Sequence, residues 1–345
     1  MNTEELYMQR CLQLAQLGLG KVGSNPMVGS VIVHDGKIIG EGYHQFFGGP
    51  HAEVMAVNSV IDKSLLSQST LYVNLEPCSH TGKTPPCSTF IIEKKIPNVI
   101  IGMQDPFSKV NGAGIMALEK AGVKVKVGIL EKECIELNKR FICAHTKNRP
   151  YIILKWAQSA DGKTGKINER VQISNPASKV LTHKWRSEEM AIMVGANTAL
   201  VDNPSLDVRE WNGKNPLKVI IDREGDLKDH HHLNLFKGED STLVFSTQDF
   251  KLNPPHKTFI IDEQSHFMNI VFQKLLEFGI TSCFVEGGSR LHQSLINENL
   301  WDEIRLFQSP QKLFEGIQAP TLPTLPSSSV FIEDNTLTTI RNRNI

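Results

Sequence analysis

At 345 residues the chain is long enough for two domains with separate cores, and 40% hydrophobic with 21% charged residues is a globular composition without a low-complexity tract. Lys+Arg and Asp+Glu both number 37, so the formal charge is zero and nothing in the bulk charge draws the chain to nucleic acid or anionic lipid. The acidic, polar start (Met1-Asn-Thr-Glu-Glu-Leu-Tyr) is unlike a signal peptide, and no apolar run approaches the ~18 residues that span a bilayer. Without an export signal the six cysteines read as reduced thiols and place the chain in the cytoplasm. Of these, Cys11, Cys134, Cys143 and Cys283 read as small buried or incidental residues.

Residues 3–18 predict a helix, with Leu6, Cys11, Leu14, Ala15 and Leu17 at helical spacing. Residues 27–34 and 37–43 predict two strands joined by the hairpin signal Asp35-Gly36. A helix over 51–60, a strand over 70–75, a helix over 87–95 and a strand over 98–103 follow, then a helix over 113–120 and a strand over 123–128. Strands alternating with helices imply a layered α/β domain. Around 143–150 the text turns polar and breaks at Pro150, which marks a domain boundary. The second half predicts strands at 151–156, 191–194, 218–221, 242–245, 258–261 and 281–285, and helices at 176–187, 267–278 and 289–296. That is a second α/β domain, with no internal repeat linking it to the first.

The chemistry concentrates in His51-Ala52-Glu53 and in Glu76-Pro-Cys-Ser-His-Thr-Gly-Lys-Thr-Pro-Pro-Cys87. One imidazole (His51) and two thiols (Cys78, Cys87) hold a zinc ion with a fourth position open, and zinc lowers the pKa of a bound water from 15.7 to about 7. Glu53, two residues past the histidine, is then a proton carrier rather than a ligand. The general signature of zinc base deaminases is H-x-E followed by P-C-x-x-C. Here eight residues, not two, separate Cys78 from Cys87. His51 and Cys87 each open a helix, and a helix N-terminus favours the thiolate that zinc requires. A structural zinc site is the rival reading: His80 or His44 would close the tetrahedron, which leaves Glu53 without a role.

The residues up to about 145 closely resemble the deaminase half of the bifunctional riboflavin-biosynthesis deaminase/reductase family. The likeness is carried by Asn25-Pro-Met-Val-Gly29, Gly40-Glu-Gly-Tyr-His44, His51-Ala-Glu53, the Glu76–Cys87 string, Gln104-Asp105-Pro106 and Leu137-Asn138-Lys139. The long cysteine gap is the one this family carries. The resemblance runs on through Leu154-Lys-Trp-Ala-Gln-Ser-Ala-Asp-Gly162, Ile173-Ser174, Arg186, Gly195-Ala-Asn-Thr198, Asp202-Asn-Pro-Ser-Leu206, Arg209, Ile220-Ile-Asp222 and Glu286-Gly-Gly288. It implies a cytidine-deaminase-like three-layer α/β/α domain over 1–145, followed by a dihydrofolate-reductase-like α/β domain over 150–345.

Two consecutive reactions are implied. The first is zinc-dependent hydrolytic removal of the 2-amino group of 2,5-diamino-6-(5-phosphoribosylamino)pyrimidin-4-one, and the second is NADPH-dependent reduction of the product's ribosyl group to ribityl. Carried over position by position, the resemblance assigns Glu53 to catalysis and His51, Cys78 and Cys87 to zinc. Asn25, His44, His80 and Lys83 fall to the first substrate. The NADP positions are Ala157, Gln172, Thr198, Asp202, Arg223 and the run Gly288, Ser289, Arg290, Leu291, His292, Gln293, Ser294. Those facing the phosphorylated sugar are Lys155, Arg170, Arg186, Leu206, Arg209 and Glu286. Without the resemblance the second half is quiet: a Gly-Gly turn before a helix suits a phosphate but is equally a tight connection, and isolated arginines default to solvated charges. The proton donor of the reduction stays unnamed, with Lys155 a guess.

Two stretches depart from the family pattern. Residues 163–175 form a shorter, more polar loop, and beyond 307 a Pro/Ser/Thr-rich stretch leads to 330–345, read either as an edge strand or as a free tail. Two other functions stay open on the residues alone: a deaminase with a non-catalytic C-terminal module, and a nucleic-acid base deaminase. Zero net charge and the cysteine spacing speak against the second. Small molecules are the expected partners, and a homo-oligomer is neither required nor excluded.

Overall fold

The computed structural model describes residues 2–79, 85–107, 111–167, 171–262 and 266–342. The chain divides into two compact units, Met1–Asn148 and Arg149–Ile345. No helix among the described residues is long and apolar enough to cross a membrane.

The first unit opens with α1 (Thr3–Gln16), started by a reciprocal capping box: Asn2 Oδ1 accepts from Glu5 N and Glu5 Oε2 accepts from Asn2 N. Strands β1 (Gly29–His34) and β2 (Lys37–Tyr43) form the expected hairpin. Its turn residues Asp35 and Gly36 both have positive φ (46° and 71°), as a two-residue hairpin turn requires. Next come α2 (Ala52–Ser59), β3 (Thr70–Leu75), α3 (Cys87–Glu93), β4 (Asn98–Met103), α4 (Ala113–Lys120), β5 (Lys124–Val127), α5 (Glu131–Leu137) and α6 (Lys139–Thr146). The five strands lie in the order β2-β1-β3-β4-β5, with β1 antiparallel to β2 and β3 and the rest parallel.

Strand alternation sends side chains to two cores. Val31, Val33, Tyr72 and Ile100 pack with Met8, Cys11, Cys134 and Phe141 on one face. Ile32, Leu71, Val73, Val99 and Ile101 pack with Ala56, Val57, Ile91 and Leu118 on the other. Helices on both faces make the three layers expected.

Helix α2 matters most for chemistry, and two features fix it. Gly40 and Gly42 of β2 let it approach closely, since a Cβ on Gly42 would stand 2.3 Å from Ala56 N. At its far end the Lys63 ammonium donates to the carbonyls of Val57, Asn58 and Val60 at 2.6, 2.9 and 2.5 Å, satisfying the orphan acceptors of the last turn.

The second unit holds β6 (Tyr151–Gln158), β7 (Lys163–Gly165), α7 (Pro176–Glu188), β8 (Ala191–Gly195), α8 (Ala196–Asp202), β9 (Leu217–Ile221), β10 (Thr242–Ser246), β11 (Lys257–Ile260) and α9 (Phe267–Glu277). It continues with β12 (Ser282–Gly287), α10 (Ser289–Asn297), β13 (Glu303–Gln308), β14 (Ile317–Gln318), β15 (Ser327–Ile332) and β16 (Asn335–Arg341). Nine strands run in the order β11-β10-β9-β8-β12-β6-β13-β16-β15, parallel from β11 to β13 and antiparallel beyond. The parallel strands are buried on both faces, with Ile152, Met193, Val219, Phe245 and Val285 in one core and Ile192, Val194, Ile220 and Val244 in the other. A short ribbon pairs β7 with β14.

Three sequence expectations change. Residues 143–146, read as part of the polar break, complete helix α6. The tail does not hang free: β15 and β16 form a hairpin that adds to β13, from Glu303 opposite Arg341 to Gln308 opposite Thr336. And β13, which the sequence hides behind Glu303 and Arg305, is an interior strand. Its charges are neutralised in place, with Arg305 Nε 2.6 Å from Glu303 Oε1 and the guanidinium 4.6 Å from the centre of the Trp185 ring.

Candidate active sites

In the first unit three elements converge. His51 is the N-cap of α2 in extended conformation, and its side chain makes no capping bond, which leaves the imidazole available. Cys78 follows the end of β3, and Cys87 is the first residue of α3 after the capping Pro86. His51 Nδ1 lies 3.2 Å from Cys87 Sγ and 3.5 Å from Cys78 Sγ, and the three donor atoms fall within 4.8 Å of one another. Among the described residues this is the one His/Cys/Asp/Glu group drawn together tightly enough to hold a metal ion.

The hydrogen bond from Cys87 holds the Cys78 thiol down at about 4, helped by His51 and by the backbone N–H of Cys87 at 3.3 Å. Cys87 is pushed up by the same shared proton and by burial, and His51 is raised by Cys78. One nitrogen and two sulfurs are a donor set zinc prefers, with Cys78 already inclined to the thiolate and Cys87 having to lose its proton on binding. Glu53, in the first turn of α2, is only 3% exposed, and burial, then the neighbouring Cys78, raise its carboxyl pKa against the opposing pull of His51.

His44 and Asn25 meet beside this group. His44 Nδ1 donates to Pro50 O at 3.0 Å and Nε2 accepts from Asn25 Nδ2 at 2.9 Å, while the His44 and His51 rings sit edge to face at 5.8 Å. Both ring nitrogens of His44 are therefore engaged, which removes it as a fourth ligand and with it half of the structural-zinc alternative. His80 and Lys83 lie outside the described residues.

The segment carrying Asn25 is pinned by two buried asparagines whose role the sequence alone does not reveal. Asn138 accepts from Met27 N at 2.8 Å and donates to Met27 O, and Asn74 donates to Met27 O and accepts from Gly29 N at 2.7 Å. Glu76 was also missed. Its buried carboxylate accepts from Asp105 N (3.1 Å), Gly112 N (3.0 Å), Gly114 N (2.9 Å) and Ile115 N (3.3 Å), tying the start of α4 to the strand end that leads into Cys78. Three of these N–H donors, those of Gly112, Gly114 and Ile115, belong to the start of that helix, and the carboxylate serves as their acceptor. The signal was its place immediately before Pro77-Cys78.

The second unit gathers most of the sugar-facing candidates at one place. Arg186 of α7 forms a bidentate pair with Glu286 at the end of β12 (Nε–Oε1 2.5 Å, Nη2–Oε2 2.7 Å), and its Nη1 donates to Asp207 O at 2.9 Å. Lys155 on β6 is half-buried, with burial lowering its pKa and the Glu286 charge opposing that. Burial alone would push Glu286 up, but Arg186 and then Lys155 hold it at about 2. Arg209 is exposed and pairs with Asp207, and Leu206 is buried with φ +52°. Arg170 lies outside the described residues.

The NADP candidates are less uniform. Thr198 of α8 stands against the Gly287-Gly288 turn, where a Cβ on Gly288 would lie 3.1 Å from Thr198 Oγ1, so glycine permits the close approach. Ser289 Oγ is 3.1 Å from Thr164 Oγ1 of β7. Arg290 is exposed at the start of α10 and Asp202 is exposed at the end of α8. The remainder of the α10 run faces elsewhere. His292 is buried, its Nε2 bonded to Val285 O at 3.0 Å, and burial holds it neutral at about 4. Leu291 packs on the core, Gln293 accepts from Thr321 N, and Ser294 bonds Glu298. Ala157 lies on β6, Gln172 is exposed and bonds Ser174 O, and the Arg223 guanidinium sits 4.6 Å from the centre of the Phe267 ring.

Residues 1–103 match the family model of the cytidine and deoxycytidylate deaminase zinc-binding region. Residues 150–345 match the RibD C-terminal domain. The chain belongs to the RibD family. The riboflavin biosynthesis protein RibD of Aquifex aeolicus is 38% identical over 317 residues, covering 90% of this chain and 88% of its own length. Its Escherichia coli counterpart is 36% identical over 341 residues, covering 94% and 91%. A crystal structure from Thermotoga maritima, a diaminohydroxyphosphoribosylaminopyrimidine deaminase/5-amino-6-(5-phosphoribosylamino)uracil reductase, superposes with a TM-score of 0.89 at 35% identity over 98% of both chains.

This RibD-family chain is accordingly a deaminase and a reductase of riboflavin biosynthesis. Its His/Cys/Cys group fits Zn2+ and its second unit fits NADPH. The alternatives of a non-catalytic second half and of a nucleic-acid deaminase give way to matches that span both halves.

Proposed function

We propose that the first unit removes the 2-amino group of 2,5-diamino-6-(5-phosphoribosylamino)pyrimidin-4-one and the second reduces 5-amino-6-(5-phosphoribosylamino)uracil to the ribitylamino product, in the cytoplasm. The observation that supports the first step best is the convergence of His51, Cys78 and Cys87 with a buried Glu53 beside them. Zinc, held by those three donors, would supply the Lewis acidity that makes a water a nucleophile near neutral pH. Glu53 takes a proton from the attacking water and delivers one to the departing amino group, a shuttle that its raised pKa favours. Asn25, oriented by His44, which Pro50 holds, is read together with His44 and Lys83 as forming the side that receives the ribose and phosphate ends of the substrate, and His80 as lining the pocket.

In the second unit NADPH supplies the hydride. Thr198, Gly288, Ser289 and Arg290 are read as cofactor contacts, together with Ala157, Gln172, Asp202 and Arg223. Lys155, its pKa lowered by burial against the opposing charge of Glu286, gives its proton to the forming alkoxide. Arg209, exposed beside the Arg186–Glu286 pair, faces the sugar phosphate.

Purified zinc-loaded protein given the diaminopyrimidinone is expected to release ammonia first and to oxidise NADPH only afterwards. Given the pre-deaminated uracil, it oxidises NADPH with no ammonia released. Ammonia release without NADPH oxidation on either substrate would overturn the reductase half.

A further inference from the structure

The structure places a residue in the reductase site that the sequence did not single out. His183 lies on α7 one turn before Arg186, so the two share a helix face. Its side chain is 2% exposed, and its Nδ1 accepts the backbone N–H of Arg209 at 3.3 Å. Arg186 holds the same segment through Asp207 O at 2.9 Å, and the Arg209 guanidinium pairs with the Asp207 carboxylate. Leu206, two residues before Val208, has φ +52°, a left-handed conformation that a leucine keeps only where its surroundings hold it. A segment with such a residue and no regular secondary structure depends on these ties for its shape. A third tie to α7 is the Lys179–Glu210 ion pair at 3.0 Å, but only the one to His183 reaches the backbone of Arg209 itself.

We propose that His183 is a positioning residue of the reductase: its Nδ1 fixes the Arg209 backbone and so aims the Arg209 guanidinium at the phosphorylated sugar. The inference rests on the reading of Arg209 as a substrate contact. An acceptor at Nδ1 sets the tautomer, with the ring proton on Nε2. Burial, then the charges of Arg186 and Arg209, keep the ring neutral, so the acceptor persists.

Substitutions separate the acceptor from the bulk of the ring. In His183→Asn an amide oxygen stands near the place of Nδ1, whereas His183→Leu removes the acceptor at similar volume and His183→Gln moves it outward by one bond. All are measured as full-length zinc-loaded enzyme with saturating NADPH and pre-deaminated substrate. NADPH affinity and ammonia release are followed alongside to report folding of each unit. Loss of one neutral hydrogen bond is expected to raise KM roughly five- to tenfold in His183→Leu and His183→Gln, with kcat and NADPH affinity within about twofold of wild type. His183→Asn is expected to stay within about twofold in KM. Should the leucine variant lose NADPH binding through misfolding, the glutamine variant carries the comparison.

Arg209→Ala is the reference. KM raised in Arg209→Ala but unchanged in His183→Leu and His183→Gln overturns the proposal alone. KM equally impaired in the Asn, Leu and Gln variants also overturns it, because the acceptor is then not what matters. KM unchanged in Arg209→Ala overturns the reading of Arg209, and the proposal with it.

Discussion

Replacing Glu53 by glutamine is expected to lower ammonia release by a factor on the order of 10²–10⁴, the usual contribution of a positioned general acid-base group. The glutamine keeps the shape of a side chain that is 3% exposed and packed in the first turn of α2, so the helix and the His51 N-cap should survive. What is lost is a proton carrier beside the three metal donors. Two companion measurements make the result specific. Zinc content should remain about one per chain, because Glu53 is not among the converging donors. NADPH oxidation with pre-deaminated substrate should be unchanged, because Glu53 belongs to the other compact unit. Loss of zinc in this variant would instead make Glu53 a ligand and return the site to a structural reading.

The second large effect concerns the Arg186–Glu286 pair. Arg186→Leu leaves the Glu286 carboxylate about nine-tenths covered with its bidentate partner gone. Stranding a buried charge in this way typically costs about 3–5 kcal/mol, and the nearby Lys155 should keep the loss at the lower end. Against a domain stability of roughly 5–15 kcal/mol that is a large fraction. All four tryptophans (Trp156, Trp185, Trp211 and Trp301) lie in the second unit, so their fluorescence follows its unfolding without interference from the first. Reductase turnover should fall with stability, and Glu286→Gln added to Arg186→Leu should recover part of the stability but not the turnover.

The same pair predicts a pH dependence. Glu286 is held at about 2 when folded, below the ordinary glutamate value near 4.3. Its contribution is therefore fully present above about pH 4.3 and is lost as pH falls towards 2, a slope that Arg186→Leu should flatten.

How much of this was legible depended on where local chemistry and tertiary context agreed. In the first unit β3, β4 and α4 appear where apolar periodicity put them, and the Asp35-Gly36 turn has the two positive φ angles its residues demand. The metal donors were legible because histidine and cysteine beside helix starts have few other uses in such a pattern. Glu76, Asn74 and Asn138 were not, because a polar residue that satisfies distant backbone amides leaves no periodic trace; their partners lie 29 to 111 residues away.

The second unit was harder for a related reason. Strand β13 carries Glu303 and Arg305 into the sheet interior, where their mutual pairing and the Trp185 ring neutralise what reads as a surface segment. In the first unit, helix α5 was hidden because only Cys134 of its seven residues is buried. The resemblance treated Gly288 to Ser294 as one cofactor run, whereas helical geometry turns His292 inward to Val285 and leaves Ser289 and Arg290 at the turn. Arg186, which the resemblance sets facing the phosphorylated sugar, commits three of its five N–H donors to Glu286 and Asp207, a pairing that the sequence does not announce.

Two chemically separate sites share this chain, one fitted to a metal ion and one to a nicotinamide cofactor. Removing the metal with a chelator, then assaying ammonia release from the diaminopyrimidinone and NADPH oxidation with the pre-deaminated uracil on the same sample, tests this separation directly. Ammonia release is expected to disappear and to return on adding zinc, while NADPH oxidation is unaffected throughout. Ammonia release that persists in metal-free protein, or NADPH oxidation that vanishes and returns together with it, would rule out two separate sites of which only the first needs the metal.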